Sequence, residues 1–67
     1  MQLDDYLKIF REECASLDWQ ERQRLEVAFA TRYGPTIFMA LDELLNSGKL
    51  RSERFQKTLE NFYWECR

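Results

Sequence analysis

The chain has 67 residues, 33% of them charged and 45% hydrophobic, with two cysteines, one proline and no histidine. Ten basic and twelve acidic side chains leave a net charge of −2, so bulk attraction to nucleic acid is not expected. A chain this short hides only about 60% of the surface that it exposes when unfolded, which makes a lone subunit marginal and gives a second copy or a partner much to add. The longest apolar run, Ile37 to Leu41, is far short of the ~20 residues of a membrane span. Asp4 and Asp5 stand where an export signal would carry basic residues before an apolar stretch. Two cysteines do not build the multi-bridge framework of a small secreted scaffold. A cytoplasmic protein with no membrane segment is therefore expected.

Leu3, Tyr6, Leu7, Phe10, Cys14 and Leu17 recur at helical spacing, and at about 100° per residue they share one stripe. This predicts a first amphipathic helix. Asp4, Lys8 and Glu12 form an opposite-charge ladder on its polar side. Asp18 followed by Glu21 reads as an N-cap with its reciprocal partner, and Gly34 before Pro35 reads as a stop. A second helix of about fifteen residues is expected between them, with Leu25, Ala28, Phe29 and Tyr33 as its main face and Trp19 at the edge. Arg22 and Glu26 fall at the margin of that face, placed to stay solvated or to pair over an apolar surface. Val27 points the opposite way.

Pro35 suits a first helical turn, where its missing N–H would have no partner. The third helix carries Ile37, Phe38, Ala40, Leu41, Leu44 and Leu45 over roughly 160° of its circumference, which predicts the most deeply buried element. Gly48 supplies the left-handed residue that ends it. Leu50 should pack back on that helix, and Ser52 can cap a fourth, in which Phe55, Leu59, Phe62 and Cys66 repeat at three- and four-residue steps. Tyr63 widens that stripe, Trp64 lies on the far side, and Glu53 and Lys57 form an exposed pair. No β-type alternation and no internal repeat is present. The expected architecture is all-α: four short helices joined by tight turns, one domain over residues 1–67.

The absence of histidine removes the commonest general base, the commonest zinc ligand and the usual partner of a serine or cysteine nucleophile. The carboxylate pairs Asp4–Asp5 and Glu12–Glu13 are adjacent on helices and diverge by about 100°. Cys14 and Cys66 sit on apolar stripes, where a cysteine is usually a small hydrophobe; a disulfide or redox role is the alternative. Two thiols do not complete a metal site. No enzyme activity, cofactor, metal or small-molecule substrate is expected.

Two other patterns point to partners. Lys49, Arg51, Arg54 and Lys57 follow a glycine turn between two helices, opposed only by Glu53. A helix-turn-helix would place such a segment, residues 49–57, against DNA, although the exposed face of the fourth helix, with Glu53, Lys57, Glu60, Asn61 and Trp64, is nearly neutral and its acids oppose phosphate. The second pattern is apolar residues outside the main stripes: Ile9, Val27, Met39 and Trp64. Tryptophan is enriched at binding anchors. Trp64 with Tyr63, Val27, Met39 and Ile9, together with the Arg22/Glu26 pair, is the predicted surface for another protein or a second copy. The expected role is a non-catalytic regulator, inhibitor or adaptor acting as a homodimer, with nucleic-acid binding through residues 49–57 as the alternative.

Leu41, Leu44, Leu45, Gly48, Leu50 and Phe55 resemble the leucine, glycine, aliphatic and phenylalanine positions of SHOCT-type short helical hairpins. Arg54 interrupts the acidic run of that pattern and Arg51 stands at its threonine position. The resemblance implies an oligomerisation or interaction role.

Overall fold

In the computed structural model, which describes residues 1–66, the four predicted helices form. They are α1 (Leu3–Glu13), α2 (Trp19–Thr31), α3 (Gly34–Ser47) and α4 (Glu53–Cys66). Among the described residues 79% are helical and none is in a strand. The radius of gyration is 10.6 Å, against roughly 10.8 Å for a compact chain of this length.

The helices start and stop where local chemistry directs them. At α2, Asp18 Oδ1 accepts from the Glu21 N–H at 2.8 Å, satisfying one of the amides that a helix start leaves without a partner. The Glu21 carboxylate reaches Lys49 at 2.6 Å, so the reciprocal half of the expected capping box gives way to a tertiary ion pair. Pro35 lies in the first turn of α3. Gly48 ends α3 at φ +74°, where a Cβ would be strained. Ser52 Oγ accepts from the Phe55 N–H at 3.2 Å and caps α4; it also donates to Glu13 of α1.

One predicted boundary is corrected. The residue that ends α2 is Arg32, at φ +52°, and α2 has 13 residues. Gly34 begins α3 instead. Its role is close approach: a Cβ there would lie 2.6 Å from Cys66 Sγ and 2.9 Å from Cys66 Cβ. The left-handed turn at Arg32 also takes Tyr33 off the α2 face, and Tyr33 is exposed at the start of α3.

α1 packs on α4, α4 on α3, and α3 on α2. The α1–α4 seam is aromatic. Phe10 meets Phe55 and Phe62 edge-on at 6.0 and 5.4 Å, and Tyr6 meets Phe62 at 5.1 Å, the geometry that ring quadrupoles favour. Each helix buries three side chains, and α3, which packs on both α2 and α4, adds Phe38, Ala40 and Leu45 partly buried against the core, so that all six residues of its expected apolar arc serve it. Leu50 is buried, and Leu17, beyond the end of α1, packs partly on the core. Asp4 and Glu12 do not serve the expected ladder: they reach Arg32 at 2.9 Å and Arg54 at 3.3 Å.

Candidate interaction surfaces

Closing the core leaves Met1 and two groups of large apolar side chains outside it. The first lies where the start of α3 meets the end of α4, an approach that the missing side chain of Gly34 permits. Antiparallel packing there sets Phe38 against Tyr63, with ring centroids 4.6 Å apart, and Tyr63 next to Trp64 at 6.1 Å. Tyr33, Pro35, Phe38, Met39, Tyr63 and Cys66 line an open groove of about 560 Å³. No charged side chain lines it among the described residues. Met39 and Trp64 are each 65% exposed, Tyr33 61% and Tyr63 41%.

The second group is the outer side of α2. Leu25, Ala28 and Phe29 turn inward, which leaves Trp19, Gln23 and Val27, at four-residue steps, on the opposite side. Trp19 is 67% exposed and Val27 65%. Trp19, Arg22, Gln23 and Glu26 border an open depression of about 420 Å³. Arg22 and Glu26 are both exposed, and Glu26 is engaged by Arg11 of α1 through two bonds of 2.8 and 3.1 Å. The Arg11 guanidinium lies 5.3 Å from the centre of the Phe29 ring, so the ion pair over an apolar surface is Arg11–Glu26.

The residues singled out from sequence therefore separate. Met39, Tyr63 and Trp64 come together on the α3/α4 face, and Val27, Arg22 and Glu26 on the α2 face. Ile9 is half-buried and contributes less to a free surface than its spacing suggests. Tyr33 and Trp19, expected on a core face and at its edge, are exposed, whereas Phe38 is partly buried against the core as expected and also lines the groove. The signal that moves Tyr33 is a left-handed arginine, a residue type that no capping rule marks.

The basic segment is largely neutralised. Lys49 pairs with Glu21 at 2.6 Å, Arg54 with Glu13 and Glu12 at 3.1 and 3.3 Å, and Lys57 with Glu53 at 3.3 Å. Arg51 is exposed and lays its guanidinium beside Gly48, 3.0 Å from where a Cβ would stand. Carboxylates already hold three of the four cations that would otherwise release counterions from a phosphate backbone.

Both cysteines are free thiols, Cys14 buried and Cys66 partly so. Among the described residues, no group of three or more histidine, cysteine or acidic side chains is placed to hold a metal ion. No helix among them is long and apolar enough to cross a membrane. Comparison with protein-family models, with curated proteins and with solved structures finds no match to the chain.

Proposed function

We propose that this chain is a non-catalytic protein–protein interaction module, a small regulator, inhibitor or adaptor that docks a helical surface on a partner protein and works as a homodimer. One observation carries the reading: the fold closes a core of four phenylalanines with Tyr6 and surrounding leucines, yet leaves Trp19, Val27, Met39, Tyr63 and Trp64 outside it. Scattered exposed apolar residues are ordinary. Two tryptophans and a methionine, gathered into an uncharged groove on one side and beside Arg22 and Glu26 on the other, are the composition of binding anchors.

The reading is tested by using the full chain as bait in an extract of its native cell, with Trp64→Ala and Val27→Glu beside it. Both positions are exposed, so the variants should keep the wild-type far-ultraviolet spectrum. A stoichiometric partner protein whose recovery falls about tenfold or more in one variant supports the reading. A capture profile that neither substitution changes overturns it.

A further inference from the structure

We infer that the occupant of the α3/α4 face is a second copy of this chain, docked about a two-fold axis with Trp64 of each copy seated against the groove of the other. The inference rests on the interaction-module reading and names the partner at one of its two faces.

Three features of the face support a copy over a foreign protein. First, it carries both halves of a self-complementary contact. Trp64 is 65% exposed with its ring 6.1 Å from that of Tyr63, and Tyr63 forms one wall of the 560 Å³ groove. A two-fold interface needs projection and recess on a single patch, because each copy offers the same surface to the other.

Second, the groove lining is uncharged on a chain whose net charge is −2. Groups near a two-fold axis meet their own copies, so a charged patch there would oppose itself. A neutral patch lets two acidic chains approach without that repulsion.

Third, the area suffices. Aromatic side chains offer roughly 150–250 Å² each. At the exposures of Tyr33, Tyr63 and Trp64, with Met39 and the groove walls added, the face presents roughly 500 Å² per copy. That is about a tenth of the 4639 Å² total surface, the usual share for a small protein. A pair buries about 1,000 Å², the lower bound of a specific interface, which points to a reversible dimer. The α2 faces of both copies would then remain outward, giving the assembly two docking surfaces.

Sedimentation equilibrium of the full chain from about 1 μM to about 1 mM tests the inference. The expected result is a reversible dimer whose dissociation constant rises about tenfold or more in Met39→Glu, which brings a charge from each copy into a closed apolar contact. Val27→Glu, on the other face, should leave it within about twofold. In a Trp19→Phe chain, Trp64 emission should move to shorter wavelength as the dimer forms. A chain that stays monomeric throughout, or a dimer that Met39→Glu leaves intact, overturns the inference. If partner capture still falls with Trp64→Ala in that case, only the self-association is lost; if capture is also insensitive to both substitutions, the interaction-module reading falls with it.

Discussion

At the scale of single residues, burial raises the proton affinity of the two thiols and of one phenol, Cys14, Cys66 and Tyr6. The Cys14 thiol is pushed up from 9.0 to about 11, by burial first and then by the neighbouring charge of Glu13. The Tyr6 phenol rises from 10.0 to about 12, again by burial first, with a hydrogen bond to Glu65 adding to it. Both groups are neutral when protonated and hold the proton more tightly in the folded chain. Their contribution is complete below the unfolded value and is lost as pH rises through the folded one. Stability measured by chemical denaturation should thus decline between pH 9 and about 11 through Cys14, and between pH 10 and about 12 through Tyr6. Cys14→Ala should delay the onset; an unchanged onset would remove Cys14 as its cause. Burial, with the charge of Glu65, raises the Cys66 thiol as well, but Cys66 is only partly buried where Cys14 is fully so, so a thiol reagent should modify Cys66 first and Cys14 only on unfolding.

Among elements, the close approach of α3 to α4 hangs on Gly34. In Gly34→Ala the new methyl group would overlap Cys66 Sγ and Cβ, a strain of the overpacking kind that costs about 1–3 kcal/mol. For a domain of this size that lowers the melting temperature by about 4–8 °C per kcal/mol. Adding Cys66→Gly removes both clashing atoms, so the double variant should recover part of the loss, and the non-additivity measures the contact. Two independent, additive effects would refute the close-packing account. The same junction builds the α3/α4 groove, so the substitution should disturb docking as well as stability. Interhelix ion pairs contribute less: Arg11–Glu26, Asp4–Arg32 and Arg54–Glu12 are about half exposed or more, where such pairs are worth about 0–1 kcal/mol each.

For the whole molecule, the aromatic seam between α1 and α4 gathers four buried rings, Tyr6, Phe10, Phe55 and Phe62. Phe10 is fully buried and meets Tyr6, Phe55 and Phe62. Truncation to alanine costs about 3–5 kcal/mol at such a site, while a chain of this length has about 3–10 kcal/mol in total. Phe10→Ala should therefore leave a chain that is largely unfolded at physiological temperature, seen as lost ellipticity at 222 nm. A cooperative melt within a few degrees of the wild type would show that the seam is less central than its burial suggests. Trp64→Ala, outside the core, should leave the monomer fold intact, and this contrast separates what the chain uses to fold from what it offers to others.

The all-α class, the number of helices, the Asp18, Gly48 and Ser52 caps and nearly every buried side chain were legible in the sequence. They follow from a 3.6-residue period and from short-range hydrogen bonding, both of which are local. The exposure of Trp64, Met39 and Val27 was legible for the same reason, since each lies off the apolar stripe of its helix. Other features depended on contacts between residues far apart in the chain. The end of α2 at a left-handed arginine freed Tyr33, the junction of α3 with α4 brought Phe38, Met39 and Tyr63 to one groove, and the pairing of Lys49, Arg54 and Glu26 was set by the neighbours that packing supplied. Periodicity tells which side of a helix turns inward; which exposed sides end up adjacent is fixed only when the helices pack, and that adjacency makes separate apolar residues into a surface.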